Sequence, residues 1–284
     1  VTASDDIFED HSDDRDAHPQ YVLPLVVRLE RDAPPTRTDA LETAARAVLV
    51  LLADDRSRGE GEWAERVEAW QDARIRKVVR RARGAEWRRA EALPGITVTG
   101  AGTGSDTDDS GRAEVDGRAQ TETGGRGLVD TDDSGRAEAD GGADVEGGPA
   151  TGRTPAQVRV FPPVPLDGWP KDLARLQVSG TELDDPETPT PPPPGIPVLW
   201  FNPAVKMTAG KAMAQAGHAA QLGWWSLTEP EARAWADAGF PLAVRTASPE
   251  QWDKLVTADL PTVRDAGFTE IAAGSTTAIA ELRR

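Results

Sequence analysis

Apolar residues in this chain fall into a few short runs separated by long polar stretches. Tyr21 to Leu29 and Val198 to Asn202 are almost continuously apolar, as expected of strands buried on both faces. Each is followed by an Ala-rich segment, Thr38 to Leu52 in the first case and Thr208 to Trp225 in the second, which predicts a helix. Thr208 is the expected N-cap of the second helix. Further along, Ala69 to Ala82 (AWQDARIRKVVRRA) aligns without a gap on Ala234 to Ala247 (AWADAGFPLAVRTA), matching at seven of fourteen positions. Trp87 then matches Trp252, and Leu93-Pro94 parallels Leu260-Pro261 after a two-residue offset. The chain therefore reads as two similar halves, each strand, helix, helix, strand, short helix.

The repeat settles one ambiguous segment. Arg74 to Arg83 alone could be a basic helix, but its counterpart follows Gly239 and contains Pro241, which suits a strand after a helix stop. Arg76 to Ala82 is therefore predicted to be a strand, followed by a short helix at Ala85 to Ala92. The closing strand of the first half falls at Gln157 to Phe161, beyond a long insertion. A surface insertion of that length costs little loop-closure entropy.

Charge changes the picture by its location. The chain carries 32 Lys and Arg against 48 Asp and Glu, a net charge of −16. Residues 1–20 hold seven acids and one Arg, and residues 99–154 hold thirteen acids and five Arg, so these stretches supply fourteen of the sixteen net charges. Neither has the apolar content needed to offset chain ordering, so both are expected to be disordered. The foldable remainder is close to neutral, and the low isoelectric point does not argue against a nucleic-acid partner. Within the insert, Thr107 to Gly117 and Thr131 to Gly141 are nearly identical, a duplicated polar unit with no apolar face to stack. It resembles a calcium loop only in part, lacking the closing Glu and flanking amphipathic helices. Prolines from Pro189 to Pro194 mark a semi-rigid spacer.

These breaks divide the chain into an acidic tail at 1–20, a first folded half at 21–98 plus 155–179, an acidic insert at 99–154, a Pro-rich linker at 180–195, and a second half at 196–284. Cysteine is absent, which removes disulfides and thiolate chemistry. No apolar run is long enough for a membrane span and no N-terminal signal pattern is present, so a cytoplasmic protein with no membrane partner is expected.

The second half carries the candidate chemistry. After the strand at Val198 to Asn202 comes Lys206-Met207-Thr208-Ala209-Gly210-Lys211, continuing to Gln215, His218 and Ala219. Lys211, Gln215, His218 and Ala219 recur at helical spacing and share one face. A strand running into a helix N-terminus, with two lysines beside it, is a place for an anion. The chain has five Lys against 27 Arg, so two lysines within six residues suggest a need for a compact ammonium; ordinary solvated lysines are the bland alternative. Downstream lies Asp265-Ala266-Gly267-Phe268-Thr269-Glu270-Ile271, continuing to Gly274-Ser275-Thr276-Thr277.

Those two motifs, K-M-x-x-G-K-x-x-A-Q-x-x-H-A and D-A-G-x-T-x-I-x-x-G-S-x-T, resemble the paired signatures of type II peptidyl-tRNA hydrolases, over residues 196–284. The resemblance implies an α/β fold, a three-layer α/β/α arrangement with a four-stranded mixed sheet. It also implies hydrolysis of the ester between a peptide and tRNA, releasing tRNA for reuse, with tRNA as partner. Carried onto this sequence, the family's active-site cluster is Lys206, Lys211, Asp265, Thr269 and Thr277. Lys206, Asp265, Thr269 and Thr277 are then the catalytic candidates, with Lys211, Gln215, Gly267 and Gly274 on the substrate side. Asp265 would position or deprotonate water, Lys206 or helix amides would stabilise the oxyanion, and Lys211 would hold a phosphate. Phe268 stands where the family usually has a basic residue, and Glu270 where it usually has an uncharged amide. These departures favour the alternative of a non-catalytic RNA- or protein-binding module. No metal or cofactor is expected, since the foldable part has one histidine and no clustered ligands. His218 is expected to make a buried structural hydrogen bond rather than to act as base.

The first half lacks both motifs and is expected to be a catalytically silent copy of the same domain. Its cations Arg74, Arg76, Lys77, Arg80 and Arg81 could line a tRNA backbone, or could protect a sheet edge. Family members are typically homodimers, so the chain is expected to be a monomeric pseudo-dimer or a homodimer.

Overall fold

The computed structural model describes residues 19–102, 153–267 and 271–282. Most of the acidic tail and insert, and Thr269 with its neighbours, lie outside the described residues. The first half opens with β1 (Tyr21–Arg28), whose six central residues are all buried. It continues with α1 (Arg37–Ala53), a 3-10 turn at Asp55–Ser57, α2 (Ala64–Asp72), β2 (Arg76–Ala82), α3 (Gly84–Glu91), β3 (Ile96–Thr99), β4 (Gln157–Val160), β5 (Val164–Pro165) and α4 (Lys171–Ala174). The second half comprises β6 (Val198–Phe201), α5 (Ala209–Trp225), α6 (Glu229–Asp237), β7 (Ala243–Thr246), α7 (Pro249–Leu255), β8 (Thr262–Arg264) and β9 (Thr276–Glu281).

Both sheets are mixed and share one strand order, β2-β1-β4-β3 in the first half and β7-β6-β9-β8 in the second, with β5 added beside β1. In each, the first strand pairs in parallel with the second, and the remaining pairings are antiparallel. The second half has the expected three layers. Its fully buried strand β6 turns Leu199 and Phe201 toward the core shared with α5, and Val198 and Trp200 toward Trp252 and Leu255 of α7.

The likeness between the halves extends to backbone detail. Leu25 pairs with Val79, and Leu199 with Val244, so the aligned valines both lie beside a leucine of the first strand of their sheet. Ile75 (φ 44°) and Phe240 (φ 58°) are the two non-glycine residues with positive φ among those described, and they occupy equivalent positions. This left-handed conformation is costly for a β-branched residue. In both halves a tryptophan indole donates across it, Trp70 to the Arg76 carbonyl (2.8 Å) and Trp235 to the Pro241 carbonyl (2.9 Å). One sequence equivalence changes. Thr97 stands opposite Arg159 as Thr262 stands opposite Ile279, so the alignment runs on without the two-residue offset assigned to Leu93-Pro94. Gly100-Ala101-Gly102 thereby falls on Asp265-Ala266-Gly267, and Gly102 (φ 71°) shares the positive φ of Gly267 (φ 80°).

The two sheets do not have separate cores. Helices α1 and α5 pack against each other between them, and one apolar cluster runs from Leu23, Leu25 and Val48 through Ala212, Ala216 and Ala220 to Val244 and Ala280. The small residues of α5 permit the approach: a Cβ on Gly217 would lie 2.9 Å from Val48 Cγ2. Polar contacts fix the pairing. Glu42 of α1 accepts from the Val244 amide (3.0 Å) and from Arg245 (2.7 Å) across the junction. Burial pushes the Glu42 carboxyl up, and the Val244 amide and Arg245 counter it. No helix among the described residues is long and apolar enough to cross a membrane.

Candidate active site

The carboxyl end of β6 feeds a loop that Asn202 organises. Its amide donates to the Thr277 carbonyl (3.0 Å), its side-chain nitrogen to the Thr276 carbonyl (2.8 Å), and its oxygen accepts from the Ala204 amide (2.9 Å). The loop presents Lys206, which is exposed, and ends at Thr208, whose hydroxyl caps α5 by accepting from the Lys211 amide (3.3 Å). From there Lys211 and Gln215, one helical turn apart, face the loop that follows β8.

That loop brings Asp265 to the same place. Asp265 is 6% exposed, and its carboxylate is bonded from three directions: by the Lys211 ammonium, by Gln215 Nε2 (2.9 Å) and by the Gly267 amide (2.9 Å). Its backbone is held as well, with the Gly274 amide donating to its carbonyl (2.7 Å). Gly267 has no substitute here, since a Cβ would meet the Ala273 backbone at 2.8 Å and φ is positive. The fully buried Thr277 donates from its hydroxyl to Gln215 Oε1 (2.6 Å). Residues from both motifs therefore form one continuous chain, Thr277 to Gln215 to Asp265 to Lys211. A buried polar network of this kind, with each member bonded, holds its groups in one geometry. The Lys211 ammonium is thus paired with the Asp265 carboxylate.

The helix amides are also largely committed. Gly210 donates its N–H to Thr181 Oγ1 (3.0 Å) and Lys211 donates to Thr208, leaving Lys206 as the cation of this cluster that no carboxylate pairs with among the described residues. Thr181, buried in the segment before β6, and Arg37, which donates to the Met207 carbonyl (3.0 Å), are contacts that sequence reading missed. Neither belongs to a motif, and only the fold brings them here.

His218 lies elsewhere on α5. Its Nδ1 is 3.1 Å from the Lys77 ammonium, which also donates to Gln221 Oε1 (2.6 Å). Burial, followed by the charges of Lys77 and Lys211, pushes the imidazole well below its usual range. Burial likewise pushes Lys77 well below the usual lysine value. The other β2 cations are tied to the chain around them. Arg76 reaches Gln20 (2.5 Å), Arg80 reaches the Leu176 carbonyl (2.5 Å) over the Trp169 ring, and Arg81 reaches the Ser179 carbonyl (2.9 Å). Lys77 in particular faces the junction of the halves and not a solvent-exposed ridge, because β2 alternates sides and this side is covered by α5.

In the first half the equivalent place is built with the charge reversed. Asp39, like Lys211, is the third residue of a Thr-capped helix of the same length. Its carboxylate accepts from the Ala156 amide (2.7 Å) and from the Ala101 and Gly102 backbone. Desolvation raises its pKa in spite of those donors. It fills the space a side chain at position 100 would need: a Cβ on Gly100 would fall 2.1 Å from Asp39 Oδ1. The helix carboxylate thus reaches toward the loop, where in the second half the loop carboxylate reaches toward the helix.

No curated protein and no solved structure matches the chain. The stretch that holds the network does match a known family: residues 197–281 match the model of the peptidyl-tRNA hydrolase PTH2 family.

Proposed function

We propose that the protein hydrolyses the ester joining a peptide to the 3′ ribose oxygen of tRNA. The observation that carries this reading is the bonding of Asp265 to both Lys211 and Gln215, which brings residues of two distant motifs into one buried network within the matched stretch. A water oriented at the open side of this network attacks the ester carbonyl carbon. The carbonyl oxygen takes up the electron pair, and collapse of the tetrahedral intermediate breaks the bond to the ribose oxygen. The water's protons end on the leaving ribose oxygen and in solvent. Asp265 anchors the network beside that water, and Lys206 supplies charge to the oxyanion. Thr269, the remaining catalytic candidate, lies outside the described residues.

Incubating the purified protein with a peptidyl-tRNA analogue tests the reading. Release of free tRNA, reduced at least about 100-fold in Lys206→Ala, is the expected result. Binding of tRNA without any ester cleavage would instead establish the binding-module reading that Phe268 and Glu270 favour.

We further infer that the first half is a silent copy of the same domain. The shared strand order, the matched left-handed residues and the Asp39-for-Lys211, Gly100-for-Asp265 exchange support it. Because α1 covers the face of α5 within one chain, the protein is a monomeric pseudo-dimer. A mass in solution that stays at that of one chain over a hundredfold range of concentration is expected; a tight homodimer would refute it.

A further inference from the structure

The matched stretch does not hold its candidate site in place alone. The segment between the halves, residues 181–185, runs past the N-termini of both α1 and α5 and bonds to each. Thr181, 1% exposed, takes the Gly210 amide of α5 through its hydroxyl (3.0 Å). Three residues on, the Asp184 carbonyl accepts from the Arg37 amide (3.0 Å), and next to it the Asp185 carboxylate accepts from the Thr38 amide and hydroxyl (2.8 Å each). Leu183 is buried between these bonds as part of the shared core. From α1, fixed in this way, Arg37 extends its guanidinium to the Met207 carbonyl (3.0 Å).

The Met207 carbonyl closes the loop that carries Lys206. At its start this loop is fastened to β9 by Asn202. Near its other end, the Met207 carbonyl accepts from Arg37, and the turn that follows is fastened by Thr181. Gly210 is matched to that contact, since a Cβ there would lie 2.7 Å from Thr181 Oγ1.

Resting on the hydrolase reading above, we infer that Arg37 and Thr181 are positioning residues for the active site. The first half and the intervening segment thus complete a site whose reacting groups all lie in the second half. Their action is indirect: Arg37 fixes the Lys206 loop through the Met207 carbonyl, and Thr181 fixes the first turn of α5, from which Lys211 and Gln215 reach Asp265. Displacing an oxyanion-stabilising group by a fraction of an ångström weakens the transition state more than the ground state.

The variants are Arg37→Ala, Arg37→Lys and Thr181→Val, with Glu42→Gln as the comparator that perturbs the junction at β7, away from the Lys206 loop. Cleavage of a peptidyl-tRNA analogue by the full chain is expected to fall about 5- to 20-fold in kcat for Arg37→Ala and Thr181→Val. KM should stay within about twofold, Arg37→Lys should recover most of the rate by donating to the same carbonyl, and Glu42→Gln should leave kcat unchanged. A second measurement does not depend on activity. Amide hydrogen exchange in residues 203–211 is expected to quicken in Arg37→Ala and Thr181→Val, while β6 and β9 keep the protection of the parent chain. Unchanged exchange in that segment overturns the inference whether or not the parent is active. An active parent whose kcat survives both substitutions, or whose kcat falls equally in Glu42→Gln, overturns it too. An inactive parent in which exchange responds as expected refutes the hydrolase reading alone.

Discussion

Lys77 Nζ of β2 lies 3.1 Å from His218 Nδ1 of α5, so a lysine of one half and a histidine of the other meet where the sheets share their core. Burial lowers the pKa of both groups, from 10.5 for the lysine and 6.5 for the histidine. At any pH between the lowered value and the ordinary one, the unfolded chain binds more protons than the folded chain. Stability therefore rises with pH in that window. The two groups act with the same sign, the lysine up to pH 10.5 and the histidine up to pH 6.5. Urea midpoints are expected to fall from about pH 9 to about pH 5, each group contributing a slope of at most about 1.4 kcal/mol per pH unit. Lys77→Met should flatten the alkaline part of the profile and His218→Gln the acid part. A profile indifferent to both substitutions would refute the account.

The crossing of α1 and α5 is close enough to be tested with one methyl group. Helix propensity alone would make Gly217→Ala stabilising by about 1 kcal/mol. The Cβ would lie 2.9 Å from Val48 Cγ2, and overpacking of a filled core costs about 1–3 kcal/mol. The contact outweighs the propensity, so Gly217→Ala is expected to lower the urea midpoint, and Val48→Ala in the same chain should return part of the loss. Gain of stability in the single variant would show that the helices have room to spare.

Asp265→Asn removes the charged partner of Lys211 and leaves one oxygen to serve three donors, of which the Gln215 amide is buried. At least one donor then goes unmet, at about 1–3 kcal/mol of stability. Ester cleavage is expected to fall at least about 100-fold, since the anchor of the network and its charge are both lost. Paired urea unfolding and peptidyl-tRNA cleavage measurements check it, and a folded variant with full activity would remove Asp265 from the mechanism.

Thr277→Val keeps the shape of a fully buried side chain and deletes the hydroxyl that donates to Gln215 Oε1. The Gln215 side chain, 3% exposed, then holds a buried oxygen without that donor. The expected cost is about 1–3 kcal/mol by chemical denaturation. Thr277→Ser should restore most of it. Equal stability of the valine and serine variants would mean that the hydroxyl adds nothing to the network.

Much of this architecture was legible in the chain because it rests on local chemistry. The apolar runs became β1 and β6, since strands covered on both faces need continuous apolar sequence, and Thr208 became the cap of α5 because its hydroxyl satisfies an otherwise orphaned amide. The repeat assigned β2 correctly to Arg76–Ala82 against its own basic, helix-compatible composition. Strands β3 and β8 were not read from the pattern, because three or four residues after a proline or glycine give no measurable period; a fourth strand was expected from the family resemblance alone. The two motifs identified which residues to watch, since their spacing places chemistry on one helix and one loop. Tertiary structure alone decided what those residues touch. It joined Lys211 to the carboxylate of Asp265, turned Lys77 inward to His218, and set Asp39 where the second half has Lys211. It also brought Arg37 to Met207 across 170 positions of sequence. Such contacts form because two amphipathic helices bury their small-residue faces against each other, and no local pattern records which side chains that burial makes neighbours.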